Sequence, residues 1–183
     1  MRIRDWQKGV SWSVLSASLL TPWGLAGCGG GLEDGFETSL TSQTSCADIL
    51  MAARNEDDSI ALIFRVEGLS AEAHSQNSTI TREFTFASDV YQVEVRTGTH
   101  VSDLICDDVG EQGSDIRSTY VPISGSGTLS VTPDGEQTSY GSYPGHATVE
   151  LNELVLENQD DPSDTVPLPH YLWENVSIGW LPG

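Results

Sequence analysis

Basic residues are what this chain most lacks. Its 183 residues hold 8 Lys+Arg against 27 Asp+Glu, a formal net charge of -19 and a pI near 4.1. A nucleic-acid binder needs a basic stripe to displace counterions from phosphates, and an anionic membrane surface attracts the same kind of stripe. Both are excluded as direct docking partners of such a chain. Several motifs are also missing. Without a C-x-x-C pair, a His-x-x-x-His or H-E-x-x-H spacing, or a G-x-S-x-G turn, there is no support for a thiolate metal site, a zinc hydrolase or a serine nucleophile elbow. No glycine-rich loop follows a strand and opens a helix to cradle phosphates. Acids are so abundant that a carboxylate pair for glycoside hydrolysis carries no information.

The apolar content, 38% with 5 Trp, is enough for one folded core and argues against wholesale disorder. At the start, Arg2, Arg4 and Lys8 precede a Ser-interrupted apolar stretch over residues 10–20. That stretch is far shorter than a spanning helix and has the layout of a secretory signal. It runs into Leu25-Ala26-Gly27-Cys28. With this box the chain resembles bacterial lipoprotein precursors, over residues 1–28 only. The resemblance implies that residues 1–27 are removed and that Cys28 is acylated and anchors the chain to the membrane. Gly29, in place of Asp, is similar to the outer-membrane sorting pattern. The expected location is therefore the cell envelope, at the outer membrane. The closing residues 176–183 are loosely similar to the ends of secreted β-rich lipoproteins, which implies no activity.

Setting the lipidated Cys28 aside leaves Cys46 and Cys106, an even pair in an exported, disulfide-permissive chain. The alternative is two buried, reduced thiols. Without residues 1–27 the chain keeps 26 acids against Arg54, Arg65, Arg82, Arg96 and Arg117, and no Lys. Two readings of that imbalance compete: a solvated surface suited to a salty exterior, or acids gathered around divalent cations.

Residues 28–45 are rich in Gly, Ser and Thr and are expected to form a flexible, lipidated tether about 23 Å in reach. Ser45-x-x-Asp48 ahead of the apolar residues 47–53 predicts one short helix. Beyond residue 58 the pattern is that of strands. Ile60, Leu62, Phe64 and Val66 share a face, as do Tyr91, Val93 and Val95, and Ala147, Val149 and Leu151. The phase slips between Leu151 and Leu154, the signature of a β-bulge, and Trp173 and Val176 are also out of phase. Ser124-Gly125-Ser126-Gly127 reads as a hairpin turn, and Ser126 as turn chemistry. About eight strands with no crossover helix predict an all-β antiparallel sandwich over residues 46–183.

If each loop reverses the chain, Asp57 and Asp58, the Asp107, Asp108 and Asp115 segment, the loop after Pro133 and both cysteines fall at one end. The Asp160, Asp161 and Asp164 loop then falls at the other end, beside His74. Calcium takes six to eight oxygens from such loops, so Asp57, Asp58, Asp107, Asp108 and Asp115 are the candidate ligands. The Asp160–Asp161–Asp164 loop is a second candidate. His74, His100, His146 and His170 read as turn or surface residues. Tyr140 and Tyr143, in a Gly/Pro-rich loop, are candidate binding aromatics. The expected function is a lipid-anchored, non-catalytic binding or surface-structural module with an unknown protein or glycan partner and no cofactor. A calcium-dependent carbohydrate- or protein-binding module and an envelope hydrolase are the alternatives.

Overall fold

Alternation of apolar and polar residues writes the sheet residue by residue. In the strand Gly145–Asn158, every second residue from Ala147 to Leu151 is buried, and the pattern resumes one step out of phase at Leu154 and Leu156. The slip occurs at Glu153, whose φ is 53°. The structure, a computed structural model, describes residues 31–86, 90–103, 105–106, 113–139 and 141–179. A turn of 3-10 helix, Phe36–Ser39, leads into β1 (Ser42–Cys46), β2 (Ile49–Arg54) and β3 (Ile60–Val66). Helix α1 (Leu69–Gln76) follows, then β4 (Ile80–Thr85), β5 (Gln92–Thr99), β6 (Asp115–Pro133), β7 (Gly145–Asn158) and β8 (Thr165–Ile178).

All the pairings are antiparallel, as expected. Hydrogen bonding runs through one sheet in the order β1-β2-β3-β5-β6-β7-β8, with β4 paired to β6. Instead of stacking as two separate sheets, this sheet curls around its own core. The curl brings the first strand against the last: Ser45 Oγ donates to the Ser177 carbonyl, and the Gly179 amide donates to the Ala47 carbonyl at 2.9 Å. Inside, Trp173, Tyr120 and Phe64 are fully buried. The Phe64 ring lies 5.8 Å from Phe84 and 6.3 Å from Trp173.

β6 is long enough to serve two partners on one edge. Its first half pairs with β5 and its second half with β4, which lie end to end along it. The expected hairpin at Ser124-Gly125-Ser126-Gly127 is therefore an internal segment of β6, marked by register shifts against β7. The glycines are there for space. A Cβ on Gly127 would sit 2.4 Å from the Phe84 ring, and one on Gly125 2.8 Å from Leu154 Cα. Counting one strand instead of two reverses the end at which each later loop falls. The loop after Pro133 consequently lies away from Asp58, and the 158–164 loop lies at the Asp58 end, where the Gln159 amide donates to Thr119.

Three further expectations are corrected. Residues 49–54 form strand β2 rather than a helix, because Met51 and Ala53 face the core while Ala52 meets a second apolar cluster on the outer face. Asp48, which looked like a local helix cap, instead accepts hydrogen bonds from the Gly68 amide and Ser70 Oγ at the start of α1. The segment 28–45 is not a free tether from residue 32 onward. Leu32 and Phe36 are buried in the core, and the Leu32 amide donates to Tyr120 Oη at 3.0 Å.

Cys46 and Cys106 pair as expected, with Cα atoms 5.4 Å apart, but by a different route. Cys46 lies at the end of the sheet opposite Asp58, beside Leu50. From the end of β5 the described residues 100–103, 105 and 106 turn back across the outer face of β2 and β3 to reach it. On the way Val101 and Ile105 cover Ala52, Ala61 and Ile63. This is why β3 is apolar on both faces.

Two outcomes follow. Gly127→Ala should destabilise the fold by about 1–3 kcal/mol in urea denaturation, through overpacking against Phe84. Tyr120 Oη also donates to Asp164 Oδ2 at 2.6 Å, and burial followed by that bond holds its phenol above the usual 10.0. The resulting stability is present below pH 10 and is lost as pH rises through the folded value. Tyr120→Phe should cost about 1–3 kcal/mol at neutral pH and flatten the alkaline limb of a stability–pH curve.

Candidate functional site

The expected calcium ligands divide sharply at the β2–β3 turn. Asn55 Oδ1 accepts from the amides of Ser59 and Ile60 at 2.9 and 3.0 Å, which closes the turn. Asp57 spends its carboxylate on the same turn, accepting from Ser59 Oγ at 2.7 Å. That bond holds the exposed Asp57 carboxyl below its usual pKa. Asp58 is the opposite case. At φ 54° its side chain turns inward and the residue is only 5% exposed. Neither carboxylate oxygen has a hydrogen-bond partner. The facing cation, Arg54, keeps its Nη1 3.8 Å from Oδ2 and is itself 45% exposed.

What Asp58 faces across the sheet end is the exit of β5. His100, with φ 52°, turns the chain, and the Val101 amide donates to the Asp58 carbonyl at 3.1 Å, tying the two turns together. The Asp103 amide donates back to the His100 carbonyl, and His100 Nδ1 lies 3.8 Å from Asp103 Oδ2. Candidate ligand atoms of Asp58, His100 and Asp103 all lie within 4.8 Å of one another. Among the described residues this is the group of His, Cys and acidic side chains close enough to share an ion. Asp115 is exposed at the first position of β6, opposite Thr99, and is not part of it. Asp107, Asp108, Cys28 and Tyr140 lie outside the described residues.

In the second acidic loop Asp160 is exposed, and the other two acids have partners. Asp161 accepts from the Ser163 hydroxyl and amide, at 2.6 and 3.0 Å, and these bonds hold its carboxyl low. Asp164 is occupied by Tyr120 and Asn158. Three histidines have local partners: His74 the Pro144 carbonyl at 2.6 Å, His146 Asp134 at 3.4 Å, and His170 Glu150 at 3.2 Å. Tyr143 is half-buried, its ring 5.3 Å from that of His74.

A groove of about 700 Å³ opens on the outer face of β3, β5 and β6. Ile63, Val121 and Pro122 contribute apolar surface, Phe86 and Tyr91 the aromatics, and Ile105 belongs to the crossing segment. Arg65 and Arg96 reach into it, held by Glu67 and Glu94 at 2.5 Å each. The chain shows no significant match to any protein-family model, curated protein or solved structure.

Neither the groove nor the partners of Asp58 had a sequence signal. The groove residues are the outward half of ordinary strand alternation, and His100 and Asp103 are separated from Asp58 by 42 and 45 positions. Tyr143 acts as packing in this arrangement. Tyr143→Ala should cost about 1 kcal/mol in thermal or urea unfolding, through loss of the contact with His74. It should leave the chemical shifts of groove residues unchanged.

Proposed function

We propose that the protein is a lipid-anchored module of the cell envelope that binds a ligand in the groove over β3, β5 and β6 without transforming it. The groove itself carries the reading. Its volume falls in the range of ligand sites, and it sets two aromatics and some apolar surface beside a larger share of polar surface. Two of the five arginines beyond residue 27 converge there in an otherwise strongly acidic chain. Their ion pairs add little stability at the surface, but they hold the guanidinium groups in place. The matching ligand has an apolar face and a hydroxyl- or carbonyl-rich edge, as a glycan or an extended peptide does.

Leu25-Ala26-Gly27-Cys28 supports the anchor, by its resemblance to the lipoprotein box. With Leu32 docked beside Tyr120 and Asp164, the three residue-to-residue steps from Cys28 to Gly31 span at most about 11 Å. Acylation at Cys28 would therefore hold the Asp164 end of the sheet close to the lipid.

Two measurements test the two halves. Full-length chain produced in a Gram-negative host should incorporate labelled palmitate and lose it in Cys28→Ala; absence of label in the native chain would refute the anchor. In NMR titrations with oligosaccharide and peptide panels, shifts should cluster at Gln92, Glu94, Arg96 and Val121. They should vanish in Gln92→Trp, which fills the groove from an exposed position. Shifts elsewhere, or binding that survives Gln92→Trp, would refute the groove.

A further inference from the structure

We infer that Asp58, His100 and Asp103 form a binding site for a divalent transition-metal ion of the zinc type rather than for calcium. A carboxylate removed from water loses its hydration, and a folded protein compensates with hydrogen bonds or a close cation. Asp58 has neither within hydrogen-bond distance: both oxygens are buried without a donor, and Arg54 stands off at 3.8 Å from the exposed side. The carboxylate faces the His100 imidazole and the Asp103 carboxylate, and neither makes a hydrogen bond to it. Two carboxylates facing each other repel, and a single divalent ion between them neutralises both.

The donor set selects the ion. Calcium takes six to eight oxygens and avoids nitrogen, whereas an imidazole with two carboxylates suits zinc and its neighbours in the first transition row. Zinc–nitrogen and zinc–oxygen bonds of about 2.0–2.2 Å place tetrahedral ligand atoms about 3.4 Å apart. The group begins within 4.8 Å, with His100 Nδ1 and Asp103 Oδ2 already at 3.8 Å. His100 is 58% exposed on its side chain and Asp103 23%, so both have room to move toward the fixed Asp58. Three protein ligands leave a fourth position for water or for a donor from a bound partner.

The backbone holds these groups in range before any ion arrives. The Val101–Asp58 and Asp103–His100 hydrogen bonds fix the turns, and the disulfide at Cys106 secures the segment three residues beyond Asp103. An ion would therefore clasp the start of this segment to the β2–β3 turn, as the disulfide clasps its end to the β1–β2 hairpin. The inference does not depend on the groove or on the lipid anchor.

The test uses tag-free full-length chain with the disulfide intact, in metal-free buffer at pH 7.5 and 0.5 M NaCl. Isothermal titration with zinc chloride should show one equivalent binding at micromolar or better affinity, and calcium chloride should compete at least a hundredfold less well. Cobalt(II) should give a d–d absorption band at one equivalent. His100→Ala, at an exposed position, should weaken zinc binding at least tenfold without changing the melting temperature of the metal-free protein. Asp58→Asn should do the same to affinity, and Asp57→Asn should have no effect. Weak, multi-equivalent binding that is unchanged in His100→Ala would overturn the proposal in favour of a diffuse acidic surface. Calcium binding as tight as zinc and insensitive to His100→Ala would overturn it in favour of an oxygen-only site.

Discussion

The Cys46–Cys106 bond is the constraint on which both candidate sites depend. It joins the β1–β2 hairpin to a segment that leaves the sheet at the opposite end, so Val101 and Ile105 lie across the outer face. That crossing builds a second apolar cluster outside the main core. It also places Ile105 at the groove, and it starts from His100 and Asp103, which the exit of β5 sets beside Asp58. In the loop-entropy description, closing 60 residues stabilises a fold by about 4 kcal/mol. Here the geometric consequence matters more than the energy, because the buried carboxylate and the groove both lie beside the strapped segment.

The sheet supplies a rigid frame for that strap. One continuous curled sheet, closed by contacts between β1 and β8, leaves its inner face to Trp173, Tyr120 and Phe64 and its outer face free for sites. The chain before β1 adds to this frame. Leu32 and Phe36 enter the core, and Tyr120 and Asp164 fix the entry point, so an anchor at Cys28 would orient the whole domain.

Period-two alternation made the antiparallel all-β class legible, and even its defects were readable. The slip after Leu151 is the bulge at Glu153, and the misfit of Trp173 with Val176 is the shift opposite Ala147 and Val149. What alternation could not show was whether a short apolar run such as residues 49–54 is helix or strand. Burial on both faces decided that, through a cover that comes from residue 101 onward. Helix α1 was missed because its buried residues, Ser70 and Ala73, are small and make no apolar stripe. Glycine in Ser124-Gly125-Ser126-Gly127 was read as turn chemistry, where it gives Phe84 and Leu154 room. Of the three proposed calcium ligands among the described residues, Asp57, Asp58 and Asp115, Asp58 is the one the structure brings to a shared cluster. Its companions depend on two left-handed turns, at Asp58 and His100, that no local pattern announces.

The most direct test of this account is amide hydrogen exchange, comparing the native chain with the Cys46→Ser, Cys106→Ser double variant. The account predicts faster exchange confined to residues 100–106 and to β1, β2 and the outer edge of β3, with β6, β7 and β8 protected as before. A uniform loss of protection across the sheet, or no change at residues 100–106, would contradict the claim that the disulfide shapes the outer face.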